Sequence, residues 1–320
     1  MGTILITGAA GNLGTLLARH LMTTREHSLR LMYHRKPLAD DLIAAPHVEA
    51  VHADLSDPRT LPAAVARADA IVHFAGVLFR PRPERFLPET NTRYFANLLH
   101  AALEANVPRV ILTSFPQTEG PTSVEQPATG RLDREPISAH ARTRLEEERL
   151  LMAERDRAGF TPIVLRFGMV YGRGILMIDA ARWLAERHLL GIWRAPTLLQ
   201  LISSVDFARA CAAAIDAPRA RGIYHVGDEL PLTVQEFLDK ACDVWRCARP
   251  FRVPAWSIDA LAAACELCAF VARTKSPLTR DFVRLGRVPH WGETSRARRE
   301  LISDLCYPTL EHGLALLRDV

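Results

Sequence analysis

Short apolar runs alternate with helical stretches over the first half of the chain. The runs are TILITG, LRLMYH, VEAVHADL, AIVHFAG, RVILTSF and TPIVLRF, and the intervening sequence predicts helices from about Leu13, Arg59, Thr92 and Ser138. Alternation of this kind predicts parallel strands that are covered by helices on both faces. Because crossovers between parallel strands are right-handed, we expect an α/β fold with a doubly wound parallel sheet and a ligand crevice at the carboxyl ends of its strands.

The pattern loosens after Gly172, where helices and short strands are repeatedly interrupted by proline. At 320 residues the chain is long for one compact unit and short for two large ones. We therefore predict a Rossmann domain over residues 1–171 and a smaller substrate-binding lobe over residues 172–320. Residues 202–226 again have a strand, helix, strand pattern, so we expect them to return to the main sheet.

Three glycines lie between the first predicted strand and the first predicted helix. They are Gly8, Gly11 and Gly14, in the segment TILITGAAGNLG. A side chain at this turn would keep a pyrophosphate away from the backbone N–H groups and from the positive end of the helix. The order of strand, glycines and helix favours a dinucleotide-binding turn over a purely structural one.

The second strand ends in the basic segment MYHRKP. Dinucleotide folds that select NAD usually place a carboxylate here for the ribose 2′-hydroxyl, whereas a cation accommodates the 2′-phosphate of NADP. This chain has His34, Arg35 and Lys36 and no acid at that place. We therefore predict NADP, with Arg35 as the leading contact, while NAD and a merely solvated basic turn stay open.

Composition excludes only extreme classes of protein, such as disordered or fibrous chains. The 40 basic and 36 acidic residues leave a net charge of +4, and the basic residues are scattered, so we expect no nucleic-acid partner. The six cysteines lack the spacing of a disulfide framework, and Cys265 with Cys268 has no second pair to complete a metal site, so we predict buried reduced thiols and no metal. No leader precedes the first strand, which predicts a cytoplasmic protein.

The longest apolar segment runs from Trp256 to Ala272. It contains Asp259 and Glu266 and is short for a membrane span. We expect a half-buried helix and no membrane association; a helix lying on a membrane surface is the alternative.

Several separate segments resemble the extended short-chain dehydrogenase/reductases of the NAD-dependent epimerase/dehydratase type. ITGAAGNLG is similar to that family's glycine loop, ADLSD to its adenine-side turn, VHFAG to the strand end beside the cofactor, and LRFGMVYGRG to the segment that enters the nicotinamide pocket. NTRYFANLLHAA resembles its central helix, and SSVDFARA with YHVGDELPLTVQEF its returning helix and strand. The resemblance implies an NAD(P)-dependent oxidoreductase that acts on a carbonyl or alcohol of a small-molecule substrate.

The resemblance also implies which positions contact the cofactor. Some lie in the glycine turn, some near the ends of the second and third strands, and some at the ends of later strands. The predicted cofactor-binding residues are Gly8, Gly11, Asn12, Leu13, Gly14, Arg35, Lys36, Asp54, Leu55, Phe74, Ala75, Gly76, Arg144, Phe167 and Met169.

The family's catalytic helix carries Tyr-x-x-x-Lys, and here the segment HARTR places His140 and Arg144 at those two positions. Residues four apart share a helix face, so the cation can hold the nicotinamide ribose while its partner exchanges a proton. Arg144 keeps the charge but does not deprotonate. His140 can act as an acid or a base near neutral pH. We predict catalytic roles for both residues; the alternative is a plain amphipathic helix.

The family's catalytic hydroxyl has two possible counterparts, because VILTSFPQTEG aligns in two ways that differ by one residue. Counting from the strand gives Ser114, which we predict as catalytic, and counting back from Gly120 gives Phe115, which lacks a hydroxyl. Glu119 lies near a position that is often tyrosine in relatives. We expect a solvated loop carboxylate there, with acid–base chemistry as the alternative.

Three functions stay open from the sequence. The first is hydride transfer with His140 in the tyrosine's role. The second is a non-redox isomerase, lyase or cyclase on the same scaffold, and the third is a non-catalytic NADP(H)-binding sensor or assembly protein. The helices from about Arg93 and Ser138 form a dimer interface in many relatives, so the resemblance implies a possible homodimer.

The substrate is hardly defined. Apolar residues of the predicted lobe helix favour a hydrophobic substrate, while nearby cations permit a phosphorylated one or simply face water. The apolar residues are Leu261, Leu267, Phe270 and Val271, and the cations are Arg273, Lys275, Arg280 and Arg284.

Overall fold

Thirteen strands are present in the computed structural model, which describes residues 2–76, 82–274, 276 and 278–318. They are β1 (Thr3–Thr7), β2 (Ser28–Tyr33), β3 (Val48–His52), β4 (Ala70–His73), β5 (Arg109–Ser114), β6 (Thr161–Phe167), β7 (Met169–Tyr171), β8 (Gly191–Trp193), β9 (Leu198–Leu199), β10 (Leu201–Ser203), β11 (Gly222–Val226), β12 (Leu232–Thr233) and β13 (Phe251–Val253). Seven of them form a parallel sheet in the order β3, β2, β1, β4, β5, β6, β11. The predicted doubly wound sheet is confirmed.

Twelve α-helices are described along the chain. They are α1 (Asn12–Thr24), α2 (Asp40–Ile43), α3 (Leu61–Val65), α4 (Tyr94–Glu104), α5 (Ala139–Ala153), α6 (Leu176–Glu186), α7 (Ser204–Asp216), α8 (Val234–Trp245), α9 (Ala255–Ala272), α10 (Arg280–Gly286), α11 (Ser295–Glu300) and α12 (Leu310–Gly313). The four predicted helix starts correspond to α1, α3, α4 and α5. A 3₁₀ turn at Pro58–Thr60 precedes α3, and a π-helical turn at Pro88–Arg93 precedes α4.

The core has a layer on each face of the main sheet. On one face α1 and α7 pack through Leu17 and Phe207 against Ile4 and Ile6 of β1. On the other face Leu5 of the same strand joins residues of α3, α4 and α5. Successive side chains of a strand point to opposite faces, so a strand buried on both sides needs the continuous apolar run seen in the sequence.

The return of the chain to the main sheet is made by β11 alone. This strand pairs in parallel with β6 along its full length. The preceding strand β10, where we expected the return to begin, instead pairs with β7 in a separate two-stranded sheet. Helix α7 connects the two and covers the main sheet, so only the last part of residues 202–226 extends it.

Helix α9 is not the half-buried helix that the sequence predicts. Its buried residues are Ala262, Glu266 and Ala269, and only 17% of its apolar window is buried. By length and composition α9 could cross a membrane, and it is the one such helix among the described residues. The prediction of buried thiols is also wrong in part: all six cysteines are free, but Cys268 and Cys306 are exposed.

Candidate active site

The glycine turn lies directly against the end of β4. Gly8 has a φ of 69°, and a Cβ atom there would lie 2.8 Å from the backbone nitrogen of Ala75. A Cβ atom on Gly14 would overlap the carbonyl oxygen of Gly8. The first glycine thus permits the turn and the third permits close packing of α1, as in dinucleotide-binding folds.

The amino-terminal end of α1 is open to an anion. Its N-cap is the exposed Gly11, no side chain of the described residues caps it, and its first turn contains no acid. The side chain of Asn12 donates a 2.6 Å hydrogen bond to the carbonyl of Gly174, in the loop after β7. The first N–H groups of α1, which include that of half-buried Leu13, are therefore left for a pyrophosphate.

Basic side chains are exposed where β2 ends. His34, Arg35 and Lys36 are all exposed, and His34 Nε2 lies 3.3 Å from Asp54 Oδ2 after β3. The adjacent Leu55 is partly buried, and its carbonyl accepts a 2.9 Å hydrogen bond from Asn97 of α4. This end of the crevice thus presents the basic groups that the sequence predicts for the adenosine side.

Aromatic side chains lie beneath the middle of the crevice. The ring of Phe207 is 5.9 Å from that of Phe74 and 4.5 Å from that of Phe167. The N–H of Met169 donates a 2.8 Å hydrogen bond to the carbonyl of Gln200, which fixes the backbone after β6. The predicted cofactor residues therefore follow the carboxyl ends of β1, β2, β3, β4 and β6, along one edge of the sheet.

His140 is held by a carboxylate from the carboxyl-terminal lobe. Asp281 of α10 lies 2.6 Å from His140 Nδ1 and also accepts from the N–H groups of Ala139 and His140 at 2.6 and 3.1 Å. Burial raises the pKa of Asp281, but the hydrogen bonds from His140 and the backbone outweigh it, so the pKa lies below its usual value. His140 is 5% exposed, and its Nε2 has no hydrogen-bond partner among the described residues.

Arg144 lies one turn further along α5 and reaches the cofactor side. One guanidinium nitrogen is 3.5 Å from the place a Cβ atom of Gly76 would occupy, and another is 2.5 Å from Glu147 Oε2. Burial raises the pKa of Glu147 to about 7, against the opposing effect of Arg144. Since Gly8 contacts Ala75 and Arg144 approaches Gly76, the glycine turn and α5 border the same crevice.

A buried histidine that sequence reasoning missed lies beneath Arg144. His73, at the end of β4, is 2.7 Å from the Thr7 hydroxyl. Burial and the charge of Arg144 lower the pKa of His73 to about 3, so the ring is neutral at physiological pH. The neutral ring adds no second positive charge beside Arg144.

Ser114 takes part in a buried ionic cluster under α5. Its hydroxyl donates to Glu148, and Glu148 also accepts from Arg166 of β6, which is fully buried. Phe115, by contrast, is partly exposed. This geometry holds the Ser114 hydroxyl within the buried cluster. It gives no support to a catalytic Ser114, because the Ser114 hydroxyl is bound to Glu148, which lies two helical turns beyond His140.

Glu119 is not the solvated loop carboxylate that we expected. It is 5% exposed, pairs with Arg166, and accepts hydrogen bonds from the N–H groups of Gly130 and Arg131 at 2.6 and 3.0 Å. Burial raises the pKa of Glu119, but the adjacent His225 ring and the charge of Arg166 outweigh it and bring the pKa to about 2. Glu119 therefore stays ionised and holds the loop, and the alternative role in acid–base chemistry has no support.

The fold and this site define a doubly wound α/β protein with a dinucleotide-binding crevice. The model of the NAD-dependent epimerase/dehydratase family matches residues 4–227. The chain belongs to that family, so its scaffold is of the NAD-dependent oxidoreductase type, as the sequence predicts.

Two characterised relatives illustrate the range of the family. The chain is 29% identical over 187 residues to a uronate dehydrogenase of Pseudomonas putida. This alignment covers 58% of this chain and 68% of that protein. It is 28% identical over 187 residues to a 3β-hydroxysteroid dehydrogenase/Δ5→4-isomerase of Mycobacterium tuberculosis, covering 54% of this chain. The second alignment spans only 48% of the relative's own length.

Solved structures match the fold over almost the whole chain. A dTDP-glucose 4,6-dehydratase of Streptomyces venezuelae, with NAD and TYD bound, has a TM-score of 0.77 at 20% identity and covers 98% of this chain and 95% of that one. A UDP-glucuronic acid 4-epimerase of Bacillus cereus, in complex with NAD and UDP-glucuronic acid, has a TM-score of 0.76 at 16% identity, covering 98% and 97%. At these identities the likeness shows the fold alone.

Proposed function

We propose that this protein is an NADP(H)-dependent oxidoreductase of small-molecule alcohols or carbonyls in which His140 moves the proton. The observation that carries the proposal is the contact of Asp281 with His140 on the first turn of α5. It leaves the buried Nε2 of His140 without a hydrogen-bond partner among the described residues. A buried polar atom without a hydrogen bond costs free energy, and such atoms cluster where a ligand completes the site. The bound dinucleotide would supply the hydride acceptor or donor.

Asp281 determines which nitrogen of His140 is available. An ionised carboxylate only accepts hydrogen bonds, so Nδ1 carries the proton that points to Asp281. In the neutral ring Nε2 then has a free lone pair and can accept the proton of a substrate hydroxyl; in the protonated ring the same atom returns it to a carbonyl oxygen. The carboxylate also stabilises the positive charge that the ring acquires.

The remaining residues fit the binding of a phosphorylated dinucleotide. The open end of α1 suits the pyrophosphate, and the guanidinium of Arg144 has donors for the hydroxyls of the nicotinamide ribose. We prefer NADP to NAD because Arg35 and Lys36 are exposed at the adenosine end, where the 2′-phosphate of NADP would need a cation. The family's description names NAD, and solved relatives hold NAD, so both cofactors belong in the test.

One observation favours a second candidate, a non-catalytic NADP(H)-binding protein. One of the two alignments places Phe115 where the family has a catalytic hydroxyl, and in the other the Ser114 hydroxyl is bound to Glu148. A site without a group that polarises the carbonyl oxygen would bind the dinucleotide and react slowly with any substrate. A non-redox reaction on the same scaffold stays a further alternative.

A two-step experiment tests the proposal. Binding of NADPH and NADH to the purified protein is measured first, by the change in their fluorescence. A panel of aldehydes, ketones and alcohols, which includes a uronate and a 3β-hydroxysteroid, is then followed at the absorbance of the reduced cofactor. We expect tighter binding of NADPH and turnover with at least one compound; failure to bind either dinucleotide would overturn the proposal.

The pair of substitutions His140→Tyr and Arg144→Lys separates the candidates. If the parent protein is active, restoring the family's residues should lower that activity, because Asp281 positions an imidazole and has no such role for a phenol. An inert parent that gains reductase activity through the pair would instead identify a degenerate site and support the binding protein. Circular dichroism and NADPH binding of the variant serve as controls for folding.

A further inference from the structure

Helix α9 exposes its large apolar side chains, whereas an ordinary surface helix buries them. Large apolar side chains point to solvent: Trp256 is 71% exposed, Leu267 64% and Val271 74%. The side that faces the protein buries the small Ala262 and Ala269 together with a carboxylate, that of Glu266. Soluble proteins usually bury the apolar side of such a helix, so an exposed apolar face of this size indicates a binding surface.

The orientation of α9 is fixed by a polar contact. Glu266 accepts a 2.8 Å hydrogen bond from the N–H of Arg280 and a 2.9 Å bond from its guanidinium, at the start of α10. Turning the apolar face inward would break this pair and expose alanines in place of larger side chains. Contacts of α9 with β8 and α10 hold the same side against the lobe. The exposed face is therefore built into the fold.

Positive charge borders the exposed face. The guanidinium of Arg82 lies 4.3 Å from the centre of the Phe270 ring, and the exposed Arg273 ends the helix. Arg284 on α10 is exposed, and neither Arg273 nor Arg284 has an ion-pair partner within the part of the chain that the structure describes. The acids of α9 are both neutralised: Glu266 pairs with Arg280, and Asp259 lies 3.1 Å from Arg287. Over the described residues these charges are therefore net positive.

We propose that this face docks the protein on the surface of an anionic lipid bilayer, with α9 lying in the plane of the membrane. An apolar helix face with arginines along its border is the pattern of interfacial helices, because the rings and aliphatic chains enter the acyl boundary while the cations meet lipid phosphates. The Glu266 contact keeps one side of the helix on the protein, which favours a helix that lies on the membrane over one that spans it.

A second copy of the chain fits this surface less well. A two-fold interface uses the same patch on both copies, so it would gather the arginines of both borders into one contact region. Like charges brought together in this way oppose association, whereas phosphate headgroups neutralise them. Charge complementarity therefore selects the anionic bilayer as the occupant.

The surface lies one helix away from the candidate active site. Helix α10 packs on both α9 and α5 and carries Asp281, the partner of His140. A protein docked through α9 would hold its crevice near the lipid boundary. The apolar residues of α9, which the sequence suggested for a substrate pocket, face outward instead. On this proposal they enter the surface of the bilayer.

Vesicle flotation of the full chain tests the proposal. We expect the protein to float with vesicles of phosphatidylcholine and phosphatidylglycerol and to float less with phosphatidylcholine alone or at high salt. The double variant Leu267→Ser and Val271→Ser should bind anionic vesicles about 30-fold more weakly or worse, because two large exposed side chains no longer enter the lipid. Arg273→Gln with Arg284→Gln should reduce the preference for anionic lipid and leave the weaker binding to neutral vesicles unchanged.

The matched control is Ile43→Ser with Leu230→Ser, which removes side chains that are 51% and 59% exposed but lie outside α9. It should float like the parent. No flotation of the parent with anionic vesicles would overturn the proposal, and so would equal losses in the control and the α9 variant. Sedimentation velocity without lipid gives the remaining outcome: a dimer that Leu267→Ser and Val271→Ser dissociates would mean that a second copy covers the face. None of these readouts depends on enzyme activity.

Discussion

At the end of the crevice formed by the glycine turn, backbone atoms define the site. At the end that carries His140 and Arg144, pairs of side chains define it. Gly8 and Gly14 are packed so closely that a Cβ atom would meet the backbone. His140 and Arg144 are instead each held by a carboxylate, Asp281 and Glu147.

The two ends therefore tolerate change differently. A site made of backbone N–H groups and a helix end requires glycine and offers few substitutes. A site made of side-chain pairs can exchange one pair for another if both members change together. This difference agrees with the predicted alignment, in which the glycine turn is kept while His140 and Arg144 stand at the two key positions of α5.

Removing His140 should have the largest effect on catalysis. We expect His140→Ala to lower kcat by about 10²–10⁴, the usual contribution of a positioned acid or base, with little change in the Kd for NADPH. Asp281→Asn should lie between the parent and His140→Ala and shift the pH profile, because the ring loses the carboxylate that stabilises its charge. Steady-state kinetics and a cofactor titration measure both.

His100→Ala is the matched control, since it removes an exposed histidine of α4 with a side chain that is 73% exposed. It should leave kcat unchanged. A His140→Ala variant with the parent's kcat would show that the imidazole takes no part in the reaction.

The sequence predicted the two ends with different success, for physical reasons. Strand, glycine turn and helix are consecutive in the chain, so their pattern is readable locally and the main sheet followed from it. The contact that positions His140 joins residues 141 apart in sequence. No spacing rule connects them, and Asp281 was missed.

Two predictions of burial from the sequence, those for Glu119 and for α9, failed for a similar reason. Glu119 lies in a loop, where carboxylates are usually solvated, but it is buried here because it pairs with Arg166 of β6. Helix α9 is rich in apolar residues, which usually predicts burial, but the polar contact of Glu266 with Arg280 decides which side faces the lobe. In both cases a distant arginine determines the orientation, and hydrophobic periodicity carries no information about it.

A substitution at the adenosine end should have a smaller effect on binding. We expect Arg35→Glu to raise the Kd for NADPH about tenfold and to leave the Kd for NADH nearly unchanged, since only the 2′-phosphate loses its cation and meets a carboxylate. Fluorescence titration of both cofactors gives the ratio. Arg67→Glu is a charge-matched control, because Arg67 lies between α3 and β4 and acts on Glu49 near the start of β3, not on the carboxyl end of β2. Equal weakening of both cofactors by Arg35→Glu would contradict the assignment of Arg35 to the 2′-phosphate.

The smallest predicted effect concerns the pH dependence of cofactor affinity at the nicotinamide end. Burial raises the pKa of Glu147 to about 7, so this carboxyl is protonated below pH 7 and ionised above it. Arg144 is bound most strongly by the ionised form, and a ribose must compete for its donors. Binding that draws Arg144 away removes the charge that favours ionisation of Glu147, so Glu147 takes up a proton when the dinucleotide binds. The affinity for the dinucleotide therefore falls as pH rises through about 7.

NADH is the suitable probe for this effect because it lacks the 2′-phosphate, which titrates in the same range. We expect its Kd to be about threefold lower at pH 6 than at pH 8, a difference of less than 1 kcal/mol. Glu147→Gln removes the titrating group and should give one Kd at both pH values, close to that of the parent at pH 6. A variant that keeps the parent's slope would assign the pH dependence to another group and would mean that Glu147 does not control Arg144.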